Sequence, residues 1–155
     1  MSGEYPMLLR RRALKALNWA ERALEEGDYD TAAREAEYAA QLYLKSIIYR
    51  VLGEEVRGHN IRELMGVLIS ALLEEGFSEE ANMLADYSRR KRRELAELSE
   101  AHTRATYGLV EYTRASAELL VRIARDIVEI LRRLEVRIFG GGEAETAKHV
   151  EEHCS

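Results

Sequence analysis

Residues 28–53 read DYDTAAREAEYAAQLYLKSIIYRVLG, and this stretch decides the fold class. Its apolar residues recur at the three- and four-residue spacing of one helix face, and no proline interrupts them: Ala32, Ala36, Ala39, Ala40, Tyr43, Ile47 and Val51. Either Asp28 or Asp30 can cap the start of this helix, and Gly53 ends it. The stretch therefore predicts a long helix. Because alanine side chains are short, a neighbouring helix can approach it closely.

Four further segments show the same period. They predict helices over about 7–26, 61–75, 78–100 and 112–139, and glycines follow three of them directly. Residues 101–111 have a weaker apolar period and are predicted to form a loop or a kinked connection. Because no segment alternates with the period of two that marks a strand, we expect an all-α fold, an antiparallel bundle of about five helices.

Length and composition favour one compact domain. The chain has 155 residues, of which 46% are hydrophobic, enough to form a core without a cofactor. We expect the bundle to occupy residues 7–139 and a flexible tail to occupy residues 140–155, and we predict no cofactor.

Charge and cysteine content exclude some functions and locations. The formal net charge of −5 argues against a general nucleic-acid binder, which usually carries a basic excess. No apolar run approaches the ~20 residues that span a bilayer, and Cys154 is the only cysteine, so we expect a cytoplasmic protein without membrane contact. The 19 arginines, against 4 lysines, suggest a thermophilic origin as a hypothesis.

Several short segments occur in an order that resembles a known family. They are Gly27-Asp28-Tyr29, Ala32-Ala33, Ala36-Glu37, Ala39-Ala40, Tyr43-Leu44-Lys45, Gly53, His59-Asn60-Ile61 with Leu64, Thr103-Arg104-Ala105-Thr106-Tyr107 and Tyr112-Thr113-Arg114-Ala115-Ser116-Ala117. This set resembles the HEPN domain family of prokaryotic helical proteins over roughly residues 9–134. The resemblance implies a bundle of four to five helices that commonly dimerises. It also implies frequent pairing with a small nucleotidyltransferase, in toxin–antitoxin or nucleotide-linked regulation.

The resemblance also bears on catalysis. Some members of the family are metal-independent ribonucleases that carry an arginine, a polar neighbour and, a few residues later, a histidine. Arg104 matches the arginine, but the candidate histidine positions hold Leu109, Val110 and Glu111. The resemblance therefore implies a dimeric binding module that lacks the catalytic histidine. The alternatives are a metal-independent ribonuclease, in which Arg104 works with His102 or His59, and a purely structural oligomeric bundle.

Arg104, His102 and Tyr107 form the most informative local cluster. A guanidinium, an imidazole and a phenol on one loop could hold a phosphate of RNA or of a nucleotide and move a proton. In the simpler interpretation, Arg104 pairs with a helix C-terminus or with an acidic side chain. His59 precedes a predicted helix, where a structural role at the helix start is favoured.

A basic run lies on the predicted fourth helix: Arg89, Arg90, Lys91, Arg92 and Arg93. The run covers every face of a helix, so part of it must face the bundle or a cleft. In one interpretation it is solvated, and Arg90 and Arg93 pair with Glu94 and Glu97. In the other, it joins Arg104 in an anion groove for RNA or nucleotide phosphate.

The C-terminal tail contains metal-ligand residue types, His149, His153 and Cys154. They follow three consecutive glycines, which favours a flexible end over a built metal site. We therefore predict no metal site, and at most adventitious metal binding in this tail.

Overall fold

The helix predicted from the pattern of residues 28–53 is the central helix of the molecule. The computed structural model describes residues 3–58 and 60–140, in which it has six helices and no strand: α1 Glu4–Glu26, α2 Tyr29–Leu52, α3 Ile61–Glu74, α4 Ser78–Arg90, α5 Arg92–Tyr107 and α6 Arg114–Phe139. α2 contacts α1, α3, α5 and α6, and every residue from 39 to 48 except Lys45 is buried. The prediction of an all-α bundle is therefore confirmed.

α1 and α2 form a hairpin through small side chains. Ala13 and Ala20 of α1 and Ala36 and Ala40 of α2 are all fully buried. Asp28 caps α2, because its carboxylate accepts a hydrogen bond from the backbone N–H of Thr31 at 3.3 Å. The alanine pattern thus predicted correctly that a neighbouring helix lies close to α2.

The predicted fourth helix is wrong as a single element. The structure breaks it at Lys91 (φ −109°, ψ 28°), so that α4 ends at Arg90 and α5 begins at Arg92. A continuous helix would extend the buried stripe of Leu84 and Tyr87 through the position of Lys91, where a cation would face the core. The turn at Lys91 lies between Tyr87 and Leu95, which are both buried.

The predicted loop over residues 101–111 is also partly wrong, because α5 continues to Tyr107 and the connection covers only residues 108–113. The apolar period is weak here since α5 buries one narrow stripe, made by Leu95, Leu98 and Ala101. This stripe packs α5 on α2 and α6, and in the last turn only Ala105 is partly buried.

Polar contacts fix the start of α6 against the start of α2. The Asp30 carboxylate accepts a hydrogen bond from the backbone N–H of Tyr112 at 2.9 Å. Thr113 and Ser116 form a reciprocal cap on the first turn of α6. These contacts hold the end of the 108–113 connection that leads into α6.

A buried polar cluster joins α1, α2 and α6 at the other end of the bundle. The Nε of Arg10, which is 2% exposed, donates to the Tyr43 hydroxyl at 3.0 Å and lies 3.2 Å from the Glu135 carboxylate. The Tyr43 hydroxyl donates to the same carboxylate, and Arg50 lies 3.6 Å from it. Burial, with the negative charge of Glu135, raises the pKa of Tyr43, so its hydroxyl stays a donor.

None of the helices in the described ranges is both long and apolar enough to cross a lipid bilayer. Residue 59 and residues 141–155 lie outside the described parts, so the structural role expected of His59 and the expectations for His149, His153 and Cys154 stay predictions.

Candidate functional site

Arg104 lies in the last turn of α5 and stacks on an aromatic ring. Its guanidinium carbon is 5.3 Å from the centroid of the Tyr112 ring, a cation–π distance. Among the described residues no carboxylate forms an ion pair with Arg104, so the acidic partner expected in the simpler interpretation is replaced by this ring. Burial raises the pKa of Tyr112, while the positive charge of Arg104 lowers it.

An open groove lies beside Arg104. Its lining includes Ser99, Thr103, Arg104, Tyr107 and Gly108, and its volume is about 410 Å³. Gly108 ends α5 by donating its N–H to the Arg104 carbonyl at 2.8 Å. A Cβ on Gly108 would overlap this carbonyl oxygen, so glycine is required for the close approach.

His102, one of the two histidines of the sequence hypothesis, does not lie on the same side of α5 as Arg104. His102 and Arg104 are both in α5, two residues apart, so their side chains leave the helix on nearly opposite sides. Tyr107, three residues after Arg104, lies on the same side as the guanidinium and lines the same groove. The structure therefore brings Arg104 and Tyr107 together and separates them from His102.

The end of α5 and the connection that follows it expose large apolar side chains. Tyr107 is 78% exposed, Leu109 fully exposed and Val110 73% exposed. Isolated exposed apolar residues are ordinary on a protein surface, but three within four positions form a patch, and such patches often mark interaction sites. We refer to Tyr107, Leu109 and Val110 as the apolar patch.

The arginines of the basic run lie in two environments, one beside Asp86 and one in a groove. Arg89 and Arg90 lie 3.8 and 3.1 Å from Asp86 on the preceding turn, so the predicted pair of Arg90 with Glu94 is wrong. The turn at Lys91 separates Arg90 from Glu94, which ends the i, i+4 relation. Arg89 and Arg92 line a groove together with Arg62 of α3, and Arg93 is exposed.

Arg104 does not take part in that groove. It is twelve residues from Arg92 on the same helix, which corresponds to about 18 Å along the helix axis. The expectation that part of the run faces a cleft is met by Arg89 and Arg92. The anion groove expected to combine the run with Arg104 is not formed, because α5 is helical throughout and keeps the two apart.

The family match agrees with this architecture. A family model of the HEPN domain matches residues 7–134, which is most of the chain. The chain belongs to the HEPN domain family. No curated protein and no solved structure matches it.

The apolar patch includes positions at which the HEPN resemblance expects a histidine. The positions where the resemblance expects a histidine fall in the 108–113 connection, and they hold Leu109, Val110 and Glu111, all exposed. Two of the three side chains at the positions that the resemblance assigns to the histidine are apolar in this chain.

Sequence reasoning missed Asp30 and Arg62. The aspartate was a candidate helix cap, and nothing in the local pattern indicated that it bonds to Tyr112, 82 positions away. Arg62 is in the first turn of α3. It lines a groove with Arg89 and Arg92 only because α3 packs against α4 and α5.

Proposed function

We propose that this HEPN chain is a non-catalytic helical binding module that forms a homodimer. In the proposal it acts with a nucleotidyltransferase-type partner, in a toxin–antitoxin or nucleotide-linked regulatory system. The observation that carries the proposal is the apolar patch at the positions where active members have their histidine. A protein–protein contact would remove this patch from water, with a gain of roughly 25 cal/mol per Å² of apolar area.

The charges beside the patch support a self-complementary contact. Arg104 and Glu100 line the groove at the start of the 108–113 connection. A second groove, at the end of the connection, is lined by Glu26, Asp28, Asp30 and Glu111. In a two-fold dimer each copy presents the same surface, so the cation of one copy can face the acids of the other.

The test is the mass of the protein in solution, with and without the patch. Light scattering after size exclusion should give twice the 17.7 kDa chain mass for the parent and the single mass for Leu109→Ser/Val110→Ser. The matched control is Leu73→Ser/Met83→Ser, which removes two exposed apolar side chains of α3 and α4 and should stay dimeric. A monomeric parent contradicts the dimer. A control that dissociates equally contradicts the assignment of the dimer interface to the apolar patch.

The partner is tested by purification of the tagged protein from its native lysate, followed by mass spectrometry of the retained proteins. A nucleotidyltransferase retained in stoichiometric amount is expected, and its loss from the Leu109→Ser/Val110→Ser variant would show that its binding depends on the intact patch or on the dimer. Recovery of no nucleotidyltransferase, with the dimer intact, contradicts this part of the proposal alone.

The metal-independent ribonuclease remains the alternative, and it is less well supported because His102 leaves α5 on the side away from Arg104. Incubation with single-stranded RNA in a chelating buffer tests it. Cleavage by the parent that Arg104→Ala abolishes, with the fold retained, would replace the non-catalytic proposal.

A further inference from the structure

The outward face of α1 concentrates positive charge on a chain whose formal net charge is −5. Its cations lie within about 100° of the helix circumference and extend over ~16 Å of the helix axis: Arg11, Arg12, Lys15 and Arg22. All four are exposed, and within the described residues none of them forms an ion pair. We refer to these four residues, together with Trp19 between them, as the α1 stripe.

Trp19 is the aromatic member of the α1 stripe and the only tryptophan of the chain. It is 56% exposed, and the guanidinium carbon of Arg22 lies 5.3 Å from the centroid of its ring. Tryptophan and arginine are the residues that most often dominate the binding energy at the centre of protein–protein interfaces. An exposed tryptophan among unpaired cations therefore indicates a binding surface.

The α1 stripe does not suit a lipid surface. A helix that lies in a membrane interface buries a broad apolar face. The apolar face of α1 is instead packed inside the bundle through its alanines, Ala13, Ala16, Ala20 and Ala23. Around Trp19 the exposed positions hold cations, so the surface favours a macromolecule that carries carboxylates or phosphates.

Carboxylates limit the α1 stripe at both ends. Glu4 precedes it and Glu26 follows it in the same sector of the helix, and both are exposed. A nucleic-acid strand that continues beyond the stripe would bring its phosphates next to these carboxylates, where like charges repel. A protein helix can place acidic side chains over the stripe alone. The charge pattern therefore favours a short acidic segment of a protein.

We propose that the α1 stripe binds an acidic helix of a partner protein, with its carboxylates on the four cations and an apolar side chain on the Trp19 ring. Arginine pairs with a carboxylate through two parallel N–H donors, which fixes the geometry of the contact. The tryptophan ring adds apolar area that leaves water on binding. This inference goes beyond the proposed function, because it uses neither the apolar patch nor Arg104.

The test follows the fluorescence of Trp19 in the full chain, where no other tryptophan contributes. The main probe is a helical peptide of about 15 residues with glutamates and leucines along one face. The comparison probes are a peptide of the same composition in scrambled order, a single-stranded RNA of the same charge, and vesicles of anionic phospholipid. The one-face peptide should bind at one site per chain and shift the Trp19 emission to shorter wavelength, because the ring leaves water. It should bind about tenfold more tightly than the scrambled peptide.

Two variants examine the charge and the ring separately, with the anisotropy of a labelled peptide as the readout. Arg12→Ala/Lys15→Ala should weaken binding of the one-face peptide about tenfold or more, and Trp19→Ala should do the same. The matched control Arg122→Ala/Arg133→Ala removes two exposed arginines of α6 and should change the affinity by less than about twofold. Circular dichroism of each variant verifies the fold.

The inference is overturned if the one-face peptide does not bind, if the scrambled peptide binds as tightly, or if the α6 control loses as much affinity as the stripe variant. RNA or vesicles that bind the stripe more tightly than the peptide assign it to a different ligand and overturn it as well. A shift of the Trp19 emission with protein concentration alone would mean that a second copy covers the stripe, and this result also overturns the inference.

Discussion

The two ends of the helix bundle use arginine in opposite ways. At one end, Arg10 is buried between α1, α2 and α6 and bonds to Tyr43 and Glu135. At the other end, Arg104 is exposed, stacks on Tyr112 and lies beside the apolar patch. The first arginine is held by the fold, while the second remains open to a ligand or partner.

This difference separates stability from binding. Burial of a charge costs several kcal/mol of desolvation unless partners compensate it. Removal of one partner therefore lowers the free energy of unfolding strongly. An exposed cation and exposed apolar side chains add little to the fold, so they can be changed with small effects on unfolding. The predictions below compare the two ends, from the largest expected effect on stability to the smallest.

Glu135→Ala should lower the free energy of unfolding by about 3–5 kcal/mol, because it leaves Arg10 buried without its carboxylate. Glu129→Ala, at an exposed position of the same helix, should cost less than about 0.5 kcal/mol. Denaturant unfolding of both variants measures the difference. Equal losses would mean that the buried cluster is not an energetic link between α1, α2 and α6.

Glu37 gives the bundle a pH dependence in its interior. Burial raises the pKa of Glu37 to about 7, and the nearby charge of Lys45 lowers it in part. Between the ordinary value of 4.5 and about 7 the folded state keeps a proton that the unfolded state releases, so stability falls as the pH rises through this window.

In the parent, the free energy of unfolding should therefore fall by about 1–3 kcal/mol between pH 5 and pH 8. Glu37→Gln should abolish this fall, because glutamine carries no titrating proton. Unfolding curves of the parent, Glu37→Gln and the exposed control Glu25→Gln give the measurement. If the parent and Glu37→Gln have parallel pH profiles, the raised pKa of Glu37 is wrong.

Arg104→Ala should cost only about 0.5–1 kcal/mol, the value of an exposed cation–π contact, here with the Tyr112 ring. Arg122→Ala, which has no ring or carboxylate partner among the described residues, should cost less. Thermal unfolding compares the two variants. A loss above about 2 kcal/mol would show that Arg104 is a structural residue like Arg10.

Leu109→Ser/Val110→Ser should change the free energy of unfolding of the monomer by less than about 0.5 kcal/mol, since both side chains are already in water. The measurement is denaturant unfolding at low protein concentration, where association does not contribute. A clear loss would mean that the patch packs within its own chain.

Local pattern predicted much of this fold. Helical periodicity identified α1, α2, α3 and α6, and of the two capping candidates at the start of α2, Asp28 and Asp30, the structure selects Asp28. The failures came where local signals were weak or conflicting. The break at Lys91 and the helical residues 101–107 depend on which side chains the neighbouring helices bury.

The sequence by itself determined the helical class, the HEPN resemblance and the absence of a histidine at the positions after Arg104. Each of these is read from the order and spacing of residues along the chain, and none of them depends on which distant residues are in contact. Only the tertiary structure decided that Arg10 meets Glu135, that Arg62 joins Arg89 and Arg92, and that Arg104 stays apart from them. These contacts join distant residues, and their distances are set by the packing of whole helices.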